Sequence, residues 1–236
     1  MKRLLPLLIV AVCTLCAGAS DRYATLATRA ARSYGWGEWS SAAAMYELML
    51  DMCPDSAAVY TRAIVASCLI PDTTASVDLL SRAMTHGQPL DSVLAGVRSE
   101  CYALGDAPLY ADYLHRLRRQ MPWMRRALDH ELLRYHDLRR DGPATVAYAT
   151  VMLDGLPDSR EFLAALARGH MYSGDLAAAS GIWRRLLDLY PDDYDTLLLL
   201  GNYLAQHDPT AARPYLERAA AIRPAPALDA LLGVRN

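Results

Sequence analysis

The sequence contains almost no lysine and almost no phenylalanine. Lys2 is the only Lys among 24 basic residues, and Phe162 is the only Phe beside 14 Tyr and 4 Trp. The basic residues are nearly balanced by 26 acidic residues, so the charge indicates neither a nucleic-acid partner nor an acidic, disordered tail. With 53% apolar and 21% charged residues in 236, the chain is not intrinsically disordered and can bury a large core.

Common sequence signatures of catalysis are also missing. After residue 19 the chain has no Gly-rich phosphate loop, no Cys-x-x-Cys pair and no G-x-S-x-G turn. The segment that most resembles a catalytic motif runs from His130 to Arg134, since the metal-binding motif of a zinc-protease helix also begins with His-Glu. Such a helix needs a second His four residues after the first, but Arg134 stands there and His136 lies too far round the helix. We therefore expect a protein that is not an enzyme and that binds no metal and no cofactor.

The first nineteen residues have the three parts of a secretory signal peptide. Lys2 and Arg3 give a positive start, residues 4–16 form an apolar run, and residues 17–19 are a small-x-small cleavage site. As a helix, this run would be about 20 Å long, which is less than the ~30 Å hydrocarbon layer of a bilayer. We therefore predict cleavage after Ala19 rather than a membrane anchor, and no later apolar run is long enough to span a membrane.

A lipoprotein is the alternative fate of this segment. Cys13 or Cys16 would then become the acylated first residue, and only in that case would the protein associate with a membrane. Bacterial lipoproteins usually have a small residue before that Cys, whereas Val12 and Leu15 stand here. The predicted location is the periplasm or cell envelope, with an outer-membrane lipoprotein as the alternative. After cleavage, 22 Arg would face 26 acidic residues, for a net charge of −4.

Proline and glycine recur with a period of about 34 residues. The recurring residues are Pro54, Pro122, Pro157, Pro191 and Pro224, with Gly37, Gly105 and Gly174. Between them, small and large apolar residues recur at steps of three and four, as Ala179 and Trp183 do, which is typical of one helix face. The period predicts pairs of helices, with Gly in the turn within each pair and Pro after the second helix. Three pairs of residues follow these prolines, where they would cap the next helix: Asp55-Ser56, Asp158-Ser159 and Asp192-Asp193.

This pattern resembles that of the tetratricopeptide repeat (TPR) family. With its signal peptide, the chain resembles an exported bacterial member of that family. The features that match are the period of 34, Leu200-Gly201, the pairs Ala42/Tyr46 and Ala179/Trp183, and the closing residues Pro54 and Pro191. The resemblance implies an all-α, TPR-like solenoid, which is a right-handed superhelix of stacked helix pairs. In this family the first helix of each pair lines a concave wall, and that wall holds an extended partner.

The resemblance covers residues 20–226 in about six repeats, followed by a short C-terminal helix or tail at 227–236. The frames are 23–56, 57–90, 91–124, 125–159, 160–193 and 194–226. Two repeats depart from the pattern, because the second has Pro71-Asp72 where Gly-Asp is expected and the fourth has residues 139–143 as its inner turn. We expect irregular geometry in these two repeats.

The resemblance also indicates which residues would bind a ligand. In the family, the ligand contacts residues of the first helices that line the concave wall. The corresponding residues here could bind a peptide or a sugar, or they could merely be exposed to water. They are Tyr102, Arg126, Asp129, His136, Arg168, Tyr172 and Asn202. The family's clamp for a C-terminal carboxylate would fall on Ala27, Ala31, Arg62, Ser92 and Gly96. Only one of these five residues is basic, so we expect no clamp.

Three further features have two interpretations each. Residues 115–140 carry a local charge of +5, which favours either anion recognition or a solvated helix face. The first inner turn is rich in aromatic residues, namely Tyr34, Trp36 and Trp39. These residues either form a platform that stacks on a glycan or pack between the helices. Cys68 and Cys101, nearly one period apart, are a candidate disulfide if their side chains face each other. Because Cys53 is the third Cys after residue 19, at least one thiol has no partner within the chain.

We therefore predict an exported, non-catalytic TPR-type adaptor that binds a protein or peptide partner on its concave face, within a bacterial cell-envelope assembly. The alternative is a glycan- or peptidoglycan-binding protein, or an accessory factor to an envelope enzyme. Neither hypothesis includes a nucleic-acid partner.

Overall fold

The computed structural model describes residues 21–71, 74–225 and Leu228. The predicted signal peptide and the remainder of the predicted tail lie outside these described residues. Within them the chain forms twelve α-helices, one short 3-10 helix and no strand, so the predicted all-α fold class is confirmed. None of the helices in this part is both long and apolar enough to cross a bilayer.

The helices follow one another through short turns. In chain order they are α1 (21–35), α2 (Trp39–Met52), α3 (Ala57–Cys68), α4 (Ala75–Thr85), α5 (Leu90–Ala103), α6 (Ala107–Gln120), α7 (Arg125–Leu138), α8 (Gly142–Gly155), α9 (Arg160–Tyr172), α10 (Leu176–Leu189), α11 (Tyr194–Ala205) and α12 (Pro209–Ile222). The 3-10 helix, Pro122–Met124, precedes α7. The chain divides into two compact units between Gln120 and Met121.

Helix α3 is the centre of the first unit, where it packs against α2, α4 and α5. Its residues are apolar on nearly every side, as is typical of a helix that is surrounded by others. Tyr60 and Ile64 of α3 are fully buried, as is Tyr113 of α6. The Tyr113 hydroxyl donates a hydrogen bond to the backbone oxygen of Ser76 at 3.2 Å, so this buried polar group is satisfied.

In the second unit each helix packs against the next one along the chain, from α7 to α12. Successive helices contribute to one core, which contains Leu163 of α9, Trp183 of α10, Leu200 of α11 and Leu216 of α12. Leu228, from the predicted tail, is buried in the same core. The pairs are therefore joined by shared apolar contacts rather than being separate hairpins.

The turns within four of the pairs share one backbone geometry, namely the turns that follow α1, α5, α7 and α9. After α9, the amide of Gly174 donates to the oxygen of Met171 and the amide of Asp175 donates to the oxygen of His170, which is the arrangement that ends many helices. Gly174 has a φ of 77°. The same two bonds close α7, where the turn residue is Arg140 with a φ of 55°. The irregular turn expected in the fourth repeat is thus regular, because Arg140 adopts the left-handed conformation that Gly adopts elsewhere.

Some of the predicted helix caps form and others do not. Asp193 accepts a hydrogen bond from the amide of Thr196 at 3.0 Å, and Ser159 accepts one from the amide of Phe162 at 3.5 Å. Asp158 instead joins two repeats, because its carboxylate accepts from Arg185 and its backbone oxygen accepts from the Tyr190 hydroxyl at 2.6 Å. The second residue of each predicted cap pair is therefore the N-cap.

The shared turn geometry predicts opposite effects for two substitutions. Gly105→Ala should lower the free energy of unfolding by about 1 kcal/mol, because an L-residue is strained at a φ of 74°. The new Cβ meets no atom within 4 Å, so a steric clash adds nothing. Arg140→Gly should raise the free energy of unfolding by up to about 1 kcal/mol for the same reason. Urea unfolding measures both changes, and a stabilising Gly105→Ala would contradict this account of the turns.

Candidate functional site

The second unit contains a groove between α9 and α11, the first helices of two neighbouring pairs. Its cavity has a volume of about 610 Å³. Apolar side chains from these helices and α10 form the floor, namely Ala164, Trp183, Leu186 and Leu199. Charged and polar side chains complete the lining, namely Arg160, Glu161, Arg168, Asp193, Asp195 and Thr196.

Arg168 is held by Asp137 of α7. The Arg168 Nε donates to Asp137 Oδ1 at 3.0 Å and its Nη2 donates to Oδ2 at 2.6 Å, a parallel pair of charge-assisted hydrogen bonds. The Tyr172 hydroxyl donates to the same Oδ1 at 3.2 Å. The bonds from Arg168 raise the pKa of its guanidinium, and burial together with the Asp137 charge raises the pKa of Tyr172. The Arg168 charge is thus neutralised within the chain.

Arg160 is held in the same way by Asp193, whose side chain is only 4% exposed. The Arg160 Nε donates to Asp193 Oδ2, while Oδ1 caps α11 through Thr196. Burial alone would raise the pKa of Asp193, but the hydrogen bonds from Arg160 and Thr196 lower it below its ordinary value. Both arginines of the groove therefore have carboxylate partners.

The first unit contains a similar cluster that joins α1, α3 and α5. The Arg62 Nε donates to Glu100 Oε1 at 3.3 Å, and the Tyr34 hydroxyl donates to Oε2 at 3.4 Å. The Arg62 guanidinium also lies over the Tyr34 ring, 5.8 Å from its centroid. Burial and the Glu100 carboxylate both raise the pKa of Tyr34. The one basic residue at the places of the carboxylate clamp is therefore bound to a carboxylate of the chain itself.

Solved structures of other proteins have this arrangement of helices. The C-terminal part of a TPR repeat-containing protein from Cytophaga hutchinsonii is similar with a TM-score of 0.50 at 14% identity, over 83% of this chain and 78% of that one. Naa15/Naa10 bound to HypK-THB is similar with a TM-score of 0.50 at 17% identity, over 89% of this chain and 33% of that one. The chain has a TPR-like fold. No protein-family model and no curated protein matches the sequence.

The predicted concave residues lie at several different places in the TPR-like pairs. Arg168 and Tyr172 meet at Asp137. His136 lies in the last turn of α7, where its ring bonds to Asp141 at 3.0 Å and stacks on Tyr148 of α8. The remaining four residues are outside the groove, with Tyr102 and Asn202 exposed and with Arg126 and Asp129 lining a separate cavity.

Sequence reasoning missed Asp137, Arg160 and Asp193 as parts of the site. The sequence position of Asp193 predicts only a cap, although the residue also binds Arg160. Asp137 lies one residue after His136, within the basic stretch, where no pattern marks it as a partner of Arg168. Arg–Asp pairs that are separated by 31 or 33 residues, nearly one period, are the signal that could have found these contacts.

The structure shows the contacts of the aromatic cluster at the first turn, of the His-Glu string and of the basic stretch. Tyr34 packs edge-to-face against Trp39, with 5.3 Å between ring centroids, whereas Trp36 is 70% exposed. His130, from the string that resembles a zinc-protease motif, bonds to Glu161 of α9 at 2.9 Å. The described part of the chain contains no cluster of three residues that could hold a metal ion. In the basic stretch, Arg134 bonds to Glu131 and Arg116 donates to Ser76.

The candidate disulfide is not formed in this structure, in which Cys53, Cys68 and Cys101 are free thiols. Burial raises the pKa of Cys68 to about 11 in spite of a hydrogen bond with Ser76 that lowers it. Burial also raises the pKa of Cys101 to about 12. The Cys68 thiol is hydrogen-bonded with Ser76 of α4, and its charge also raises the pKa of Cys101, so the pairing of these two cysteines stays a prediction.

The lowered pKa of Asp193 predicts a pH-dependent contribution to stability. Its folded pKa lies below the unfolded value of about 3.9, so the ionised carboxylate stabilises the fold above about pH 4. That contribution is lost as the pH falls through the lower, folded value. The single oxygen of Asn can still cap α11, so Asp193→Asn removes the charge together with the hydrogen bond from Arg160. Because Arg160 is largely exposed, we expect a loss of about 1 kcal/mol at pH 7.

Urea midpoints between pH 7 and pH 3 measure this difference between the two proteins. The gap between wild type and Asp193→Asn should shrink below about pH 4. Asp195→Asn removes an exposed carboxylate from the same turn and serves as the matched control. An Asp193→Asn gap that stays constant down to pH 3 would contradict the assignment.

Proposed function

We propose that this protein is a non-catalytic scaffold that binds a segment of a partner protein in the groove between α9 and α11. The observation that carries the proposal is the groove itself, whose apolar floor is bordered by charged side chains in fixed positions. An extended peptide presents apolar side chains together with polar backbone groups, which suits such a surface. Among proteins of similar fold, Naa15/Naa10 is bound to HypK-THB, and this precedent supports a protein partner.

The charges of the groove favour a particular kind of segment. Arg160 and Arg168 are neutralised by Asp193 and Asp137, so a partner's carboxylate would have to compete with these bonds. Asp195, together with Glu161, whose Oε1 also bonds to His130, leaves the lining with an excess of negative charge. The segment we expect therefore has an apolar residue for the floor and a basic residue beside these two carboxylates.

Export to the bacterial cell envelope is the second part of the proposal. It rests on the signal-peptide pattern of residues 1–19, with acylation at Cys13 or Cys16 as the alternative that would attach the protein to a membrane. The scaffold would then act in an envelope assembly. Retention of the protein on cell-wall polymer, with no protein partner, would favour the glycan- or peptidoglycan-binding alternative instead.

Filling the groove should weaken partner binding. A partner is first isolated from an envelope extract on the immobilised protein, and its affinity is then measured with purified components. Ala164→Arg places a long side chain over the floor, and we expect it to weaken binding by at least about tenfold, equivalent to ~1.4 kcal/mol. Glu161→Lys changes an exposed charge without filling the groove and should also weaken binding of a basic segment.

Ala147→Arg is the matched control, since Ala147 is exposed on α8 and does not line the groove. Circular dichroism establishes that each variant is folded. Unchanged affinity in folded Ala164→Arg and Glu161→Lys, or an equal loss in Ala147→Arg, would overturn the assignment of the groove.

The export proposal predicts a processed N-terminus. After expression of the full-length chain in a diderm bacterium, mass spectrometry of the envelope fraction should find a chain that begins at Ser20. Labelling with palmitate that disappears in Cys13→Ser or Cys16→Ser would instead establish the lipoprotein. A cytoplasmic protein that retains residues 1–19 would contradict both.

A further inference from the structure

A second cavity lies apart from the groove, where α7 begins and α8 ends. Its volume is about 400 Å³, which is within the range of small-molecule sites. Its lining consists of Pro122, Trp123, Arg125, Arg126, Asp129, Val151, Met152 and Gly155. None of these residues lines the groove, so a ligand here would be bound independently of the partner proposed above.

Trp123 provides this cavity with a flat apolar face. The residue is 74% exposed, although burial of so large an apolar ring would be favourable. Val151 and Met152 of α8 add apolar side chains to the lining. A ligand that stacks on the indole would therefore remove from water a surface that the fold leaves exposed.

Arg126 differs from the arginines of the groove. Among the described residues no carboxylate pairs with it, whereas Arg160 and Arg168 are both paired. Its guanidinium lies directly over Gly155, where an added Cβ would be only 2.6 Å from Nη1. The absence of a side chain at Gly155 thus makes room for a guanidinium beside the cavity.

Asp129 contributes a buried negative charge to the lining. Its side chain is only 2% exposed, and its Oδ2 lies 3.7 Å from Arg125 Nε. Two guanidinium groups and one carboxylate leave the cavity with one net positive charge, which suits a ligand with one negative charge.

We propose that this cavity binds a pyranose that carries one carboxylate, a sugar acid of the uronic type. A pyranose has a face of C–H bonds that can stack on the Trp123 indole and a rim of hydroxyls that can accept from Arg125 and Arg126. Its carboxylate takes up the donors of Arg126. An aromatic acid would match the indole and the charge, but it has no ring hydroxyls that could accept from Arg125.

Calorimetric titration of the purified protein with D-glucuronate tests the proposal. We expect the wild-type protein to bind glucuronate. Trp123→Ala and Arg126→Met should each weaken this binding by about tenfold or more, equivalent to ~1.4 kcal/mol. Glucose lacks the carboxylate, acetate lacks the ring and N-acetylphenylalanine replaces the pyranose by an aromatic ring, so each should bind more weakly than glucuronate. Ala164→Arg in the groove should leave glucuronate binding unchanged, whether or not the groove binds a partner.

Trp36→Ala is the matched control, because Trp36 is also exposed and has the Arg32 guanidinium 5.3 Å from its ring centroid, but it does not line this cavity. The proposal is overturned by any of three results. These are no binding of glucuronate, tighter binding of glucose or N-acetylphenylalanine, and a loss in Trp36→Ala equal to that in folded Trp123→Ala.

Discussion

A single helix pair cannot bury its own apolar face, and this constraint determines the rest of the molecule. In the second unit, Leu163, Trp183 and Leu200 belong to three successive helices and meet in one core. Each pair therefore depends on its neighbours for the burial that stabilises it. Stacking also sets the spacing of the first helices, so the groove between α9 and α11 is a direct result of the packing that holds the unit together.

The helices and turns could be predicted from the periodic residues because each of these residues acts locally: Gly forms a turn, Pro ends a helix and the apolar residues form one helix face. The prediction was least accurate at Arg140, since a left-handed turn is a property of the backbone and an L-residue can adopt it at a cost. Contacts between pairs were harder to predict. The period placed Arg168 and Tyr172 on one face, but it did not reveal Asp137 as their partner, because the rotation between neighbouring helices decides which side chains meet.

The near-absence of lysine is consistent with the way in which this chain uses its cations. Arg168 binds Asp137 through two nitrogens of one planar group, and Arg223 lies over the Tyr194 ring, 4.2 Å from its centroid. An ammonium group cannot make the first contact and stacks less well in the second. Arg160 and Arg168 are each paired with a carboxylate of the chain, whereas no carboxylate of the described residues pairs with Arg126.

The three free thiols differ greatly in chemical reactivity. With a pKa of about 11, only about one in a thousand Cys68 side chains is a thiolate at pH 8, and Cys101, at about 12, is ionised still less. Cys53, directly after α2, is exposed. Among the three described cysteines, a maleimide dye should therefore attach at this one. In the chain that begins at Ser20, this position provides a fluorescent reporter of binding without a cysteine-free background.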